Sequence, residues 1–111
     1  MNNIYLRTGA LVDPQRREVK GFELLRCKKG AEKLGFSWSE VQSKSRKHDL
    51  ADVKTCICQF LYDKHWTLKQ IGKELNLDHA TVVYHRKKFY NLLPIDRDIQ
   101  IIWRTLSQAE L

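Results

Sequence analysis

A chain of 111 residues has the size of one domain, and 42% hydrophobic with 30% charged residues excludes wholesale disorder. Twenty basic against 13 acidic groups leave a net charge of +7, which makes a polyanion such as nucleic acid the first partner to consider. A nucleotide-hydrolysing motor is excluded by the short length and the lack of a phosphate loop.

Residues 1–12 show no hydrophobic period and read as an N-terminal arm, leaving 13–111 as a single helical domain. Asp13-Pro14 has the form of a helix cap followed by proline at the first helical position. Val19, Phe22, Leu25 and Leu34 keep a helical spacing up to a stop at Gly35, although Gly21 and Gly30 each weaken a helix by about 1 kcal/mol against alanine. Ser37-Trp38-Ser39-Glu40 has capping-box form and predicts a short helix through Gln42. A polar basic loop follows, Ser43-Lys44-Ser45-Arg46-Lys47-His48.

A longer helix is expected over 49–64, with Leu50, Val53, Ile57, Phe60 and Leu61 on one stripe and Lys54 and Gln59 off it. Thr67-Leu68-Lys69-Gln70 repeats the capping box and opens a short helix with Ile71 and Leu75 inward. Asn76-Leu77 makes a turn and Asp78 caps the next helix, where Val82, Phe89 and Leu93 face the core until Pro94. Asp96 caps a last helix carrying Ile99, Ile102, Trp103 and Leu106. Nothing alternates as a strand does, so the expected fold class is all-α, a multi-helix bundle.

Cys27, Cys56 and Cys58 are an odd number without metal-ligand spacing, and read as buried thiols in a reducing compartment. The first residues lack the apolar core of a signal peptide, and no apolar run reaches the length of a membrane span. A cytoplasmic, nucleoid-associated protein is expected. Trp38, Trp66 and Trp103 read as core or edge packing.

Charge concentrates in the middle of the chain: residues 1–43 net +3, residues 44–88 net +5 and residues 94–111 net −1. Within that middle part, Thr67 to Phe89 describes a helix-turn-helix, spanning about 67–93. Such a motif lays its second helix in the major groove, while the first braces across the DNA backbone. With the apolar positions inward, the other face of the second helix carries His79, Thr81, Tyr84, His85 and Lys88. Asp78 with His79 and His85 lacks the spacing of a metal or nuclease site, and no nucleophile has a base at recognisable spacing. No enzyme, catalytic residue, metal or cofactor is expected.

The pentapeptide Asp78-His79-Ala80-Thr81-Val82 resembles the Asp-His-Thr-Thr-Val signature of the C-terminal DNA-binding domain of DnaA, the bacterial replication initiator. Gly35-Phe36, Ser43-Lys44-Ser45-Arg46-Lys47, Leu68 with Ile71-Gly72, Lys87-Lys88-Phe89 and Trp103-Arg104-Thr105-Leu106-Ser107 resemble further parts of that domain in the same order. The resemblance spans 15–107 and implies a Trp repressor-like helical fold that binds double-stranded DNA as a monomer on an asymmetric site. It implies that Arg46, with Lys44 and Lys47 beside it, enters an A·T-rich minor groove. Asp78 and His79 would meet base edges, and Thr81, Lys87 and Lys88 would grip phosphates or base edges. Lys54 and Lys69 are placed for the DNA backbone or are plain solvated lysines.

Some positions depart from the family. Ala80 lacks the usual hydroxyl, Tyr84 stands at the second histidine with His85 one residue on, Lys69 replaces a proline, and the turn is one residue shorter. The target sequence is therefore open. Replication or transcription proteins are the expected further partners, and the family's origin-opening ATPase module has no counterpart in these residues. Two other functions fit the sequence: a helix-turn-helix transcription regulator of an unrelated operator, and an adaptor that uses the same helices for protein contact.

Overall fold

A computed structural model describes residues 15–45 and 47–108, with side chains described from Gly21 onward. The expected arm at 1–12, the Asp13-Pro14 helix start and the side chain of Val19 lie outside the described residues, as does Arg46. Six helices form among the described residues: α1 (Gln15–Lys33), α2 (Trp38–Val41), α3 (His48–Asp63), α4 (Leu68–Leu75), α5 (His79–Leu92) and α6 (Arg97–Gln108). No strand occurs among them, so the fold is an all-α bundle.

Helix α3 is the axis of the bundle. Each of the other five helices packs against it. From Asp52 to Leu61 every residue is buried, including Lys54 and Gln59. This corrects the one-stripe reading of α3, because a helix surrounded by neighbours has no solvent face. Gln59 meets the burial by donating to Asp63 at 2.7 Å and to the Tyr90 hydroxyl at 3.3 Å. Helix α1 also turns differently from expectation. Cys27 and Ala31 are buried with Leu24 and Leu34 packed beside them, whereas Phe22 and Leu25 are 55% and 40% exposed. Gly30 explains part of that rotation, since a Cβ there would lie 2.5 Å from Leu106 Cδ2 on α6.

Three corners share one construction. After α1, α3 and α4 a residue of positive φ (Gly35 +94°, His65 +70°, Asn76 +57°) is followed by an apolar residue and then a cap. In each, the apolar residue's N–H reaches back to close the finished helix: Phe36 to Ala31, Trp66 to Leu61 and Leu77 to Gly72, at 2.8–3.1 Å. This is the Schellman arrangement, in which a left-handed residue satisfies the last carbonyls. The next residue, Ser37, Thr67 or Asp78, then caps the following helix through its side-chain oxygen. The other two corners differ: α2 passes to α3 through the 43–47 loop with no side-chain cap on α3, and the α5–α6 corner passes through Pro94, with Asp96 Oδ1 accepting from Ile99 N at 3.2 Å.

The three cysteines are buried and unbridged, as their spacing suggests. Burial raises the Cys56 and Cys58 thiols to about 12, so neither is a thiolate near neutrality. Trp66 is buried with its Nε1 donating to Glu23 at 2.8 Å, and Trp103 packs edge-on to Phe60 and tilted against Phe89. Among the described residues no helix is long and apolar enough to cross a membrane.

Candidate nucleic-acid interface

The α4–α5 pair is held by close backbone contact. A Cβ on Gly72 would lie 2.5 Å from the Leu77 carbonyl oxygen, and Val82 packs 3.6 Å from the same point. Glycine at that position lets the end of α4 press onto the turn, while Ile71, Leu75 and Val82 fill the space behind. Asp78 Oδ1 accepts from Thr81 N at 2.7 Å and fixes the first turn of α5. Hydrogen bonds from the Thr81 side chain and backbone hold the Asp78 carboxyl below its ordinary pKa, helped by the charges of Lys44 and His79.

The 43–47 loop is tied to this pair from both sides. Gln42 Nε2 donates to the Glu74 carbonyl at 2.8 Å, and Asn76 Nδ2 donates to the Gln42 carbonyl at 3.4 Å. Inside the loop the Ser43 hydroxyl donates to Glu40 O at 2.6 Å, and Ser45 N reaches the Ser43 hydroxyl oxygen at 3.3 Å. Lys54 supports the loop from below, its ammonium donating to the Ser43 carbonyl at 2.5 Å. Burial lowers its pKa from the ordinary lysine value.

Between loop and helix lies a cleft of about 590 Å³. Ser43, Lys44 and Ser45 line one wall, and Asp78, Thr81 and Tyr84 line the other. Tyr84 is 60% exposed, and His79 is exposed in the first turn of α5. The structure thus brings Lys44, Asp78, Thr81 and Tyr84 to one cleft. Lys47, Lys69 and Lys87 are exposed but do not line it.

Three positions differ from the sequence reading. Lys54 is buried at the base of the cleft, and its charge is spent on the loop carbonyl, so a solvated or DNA-facing lysine is not what the fold makes of it. Lys88 points its ammonium at Asp52 Oδ1, 3.4 Å away, with side-chain exposures of 18% and 1%. Its reach toward a phosphate is diverted by a buried carboxylate that nothing in the local sequence announces. His85 is buried rather than part of the outer face, its Nδ1 2.8 Å from the Thr55 hydroxyl oxygen. That hydroxyl also donates to Ala51 O at 3.0 Å. Thr55 has a single proton, so both contacts hold together only when His85 donates from Nδ1. Desolvation, with Lys88 and Lys54 nearby, pushes His85 down to about 4. The imidazole is neutral at pH 7.

Sequence reasoning did not single out Ser43, Ser45 and Asn76 as cleft residues. The Ser-x-Ser spacing is the available signal, because it lets the loop hydrogen-bond to itself.

Comparison with protein-family models, with curated proteins and with solved structures finds no match to this chain.

Proposed function

We propose that the chain binds duplex DNA through a helix-turn-helix, α4 bracing and α5 reading. The first turn of α5 enters a major groove and the 43–47 loop enters the neighbouring minor groove. The observation that carries this reading is the cleft: a basic loop and an exposed, capped helix start stand side by side, stitched by Gln42 and Asn76. Two adjacent grooves of a duplex are divided by one sugar-phosphate strand. With loop and helix in adjacent grooves, that strand runs along the cleft, where the Ser45 hydroxyl and the Lys44 ammonium offer donors to its phosphates.

His79 and Tyr84 supply base-edge contacts on α5, and exposed Lys47, Lys69 and Lys87 supply phosphate contacts around the cleft. The motif resemblance around Asp78-His79-Ala80-Thr81-Val82 supports the same reading and suggests recognition of initiator-type sites in DNA replication or its regulation. In that role the protein marks a site or competes for it, and recruits replication proteins to it. It acts as a binder without catalysis.

Selection from a random duplex pool tests the reading. A single enriched core sequence is expected, and His79→Ala should lose about 1–3 kcal/mol of preference for it while keeping affinity for random DNA. No enrichment, or a loss by His79→Ala that is equal on selected and random duplexes, would contradict base reading by α5.

A further inference from the structure

Two surface features lie away from the cleft and complement one another. The first is on α1, where Phe22 and Leu25 form an exposed apolar ridge, 55% and 40% accessible. Lys29 and Lys33 continue the same helix face at one-turn steps beyond Leu25. The second is a pocket of about 230 Å³ framed by α6, the first half of α3 and the corner after α1. Its lining includes Phe36, Val53 and Ile102, with Ile101 at 47% exposure and two exposed carboxylates, Asp49 and Asp98.

The pocket falls below the roughly 300–1,000 Å³ of small-molecule sites, and suits one or two anchoring side chains of a protein partner. Its carboxylates stand on a chain of net charge +7, and they favour an apolar anchor flanked by cations. The α1 ridge has that chemistry. It cannot fill the pocket of its own chain, because Phe22 lies twelve residues before the pocket residue Leu34, about 18 Å along the helix.

We propose that the α1 ridge of one copy docks into the acidic-rimmed pocket of a second copy, head to tail. Such a contact joins two different surfaces, so it leaves a free ridge at one end and a free pocket at the other. Copies then add in one direction with a single polarity. The cleft stays open at the pocket side, because at 100° per residue Asp49 and Val53 leave α3 on the side opposite to Ala51 and Lys54. The proposal rests on these two surfaces alone and stands apart from DNA binding. It adds weak self-association to the monomer expected from the sequence.

Sedimentation of the full chain without DNA, over a concentration series into the millimolar range, tests it with two variants. One carries Phe22→Glu and Leu25→Glu, which removes the ridge, and the other carries Ile101→Lys, which blocks the pocket. All three substituted positions are surface-exposed, and circular dichroism checks that each variant keeps its helices; Ile101→Gln replaces Ile101→Lys if the latter does not. The wild type is expected to associate reversibly into species beyond the dimer. Each variant alone should stay monomeric. An equimolar mixture should give a dimer and stop there, since one intact ridge meets one intact pocket. A wild type that stays monomeric would overturn the proposal, as would a mixture that stays monomeric or a variant that still associates alone.

Discussion

His85 is held neutral between Thr55 and the charges of Lys54 and Lys88, and this makes stability depend on pH. Above about pH 6.5 the imidazole is neutral in folded and unfolded chains and has no effect. As pH falls, the unfolded chain takes the proton first, while the folded one resists until about 4. Stability therefore declines through that window, by an amount on the order of 2–3 kcal/mol from this group. His85→Gln should flatten the fall in melting temperature between pH 6.5 and 4 relative to wild type; parallel curves would show that the imidazole is not buried neutral. Lys88 belongs to the same buried region. Removing it leaves the buried Asp52 carboxylate with only the exposed His48 imidazole, 3.4 Å away, as a partner, so Lys88→Ala is expected to cost roughly 2–4 kcal/mol in chemical denaturation. Lys87→Ala, one residue away and exposed, should leave stability unchanged and instead reduce the salt slope of DNA binding by about one. Spacing places Lys88 on the outer face of α5, and the family resemblance gives Lys87 and Lys88 the same role. What separates them is Asp52, whose position beside α5 is a product of tertiary packing.

At the scale of the helices, the corners decide the geometry, and they were the most legible part of the chain. Gly35 reads as a stop, Asn76-Leu77 as a turn and Asp78 as a cap, and the capping boxes expected at Ser37 and Thr67 are present; the stop at His65 and the anchoring by Phe36 and Trp66 emerge only in the structure. The boundaries of α3 to α6 fall within a residue or two of expectation for that reason. Rotation about the helix axes was less legible. In α1 the two apolar residues Phe22 and Leu25 outweighed the small ones, yet Cys27, Gly30 and Ala31 make the interface because small residues allow close approach to α6. Glycines separate the two situations experimentally. Gly72→Ala should destabilise by roughly 1–3 kcal/mol, because its Cβ meets a backbone oxygen that has no room to move. Gly21→Ala meets nothing within 4 Å and should stabilise by about 0.5–1 kcal/mol. Equal melting temperatures for the two variants would contradict the close α4–turn contact. Asp78 combines a cap with a cleft position, and Asp78→Asn tests them apart. The amide oxygen keeps the bond to Thr81 N, so the melting temperature should hold while the preferred base changes.

For the whole molecule, the fold class followed from periodicity, while the role of α3 did not. Lys54, Thr55 and Gln59 look like a polar face in sequence, and only the arrival of the 43–47 loop, α5 and α6 around α3 turns them into interior residues with partners. The candidate interface was half legible. Its residue types and their order along the chain are in the sequence, but the cleft is made by bonds from Gln42 to Glu74 and from Asn76 to Gln42 across more than thirty residues. DNA binding through this cleft is the central claim. Its most direct measurement is a fluorescence titration of a short duplex over a salt series, with wild type and a Lys44→Ala, Lys47→Ala, Lys87→Ala triple variant. If about 4–6 phosphates are neutralised, wild type should show a log–log slope near −4 to −5, and the triple variant a slope smaller by about three, with its melting temperature unchanged. A wild-type affinity that is flat in salt, or a triple variant that binds duplex as wild type does, would contradict the claim.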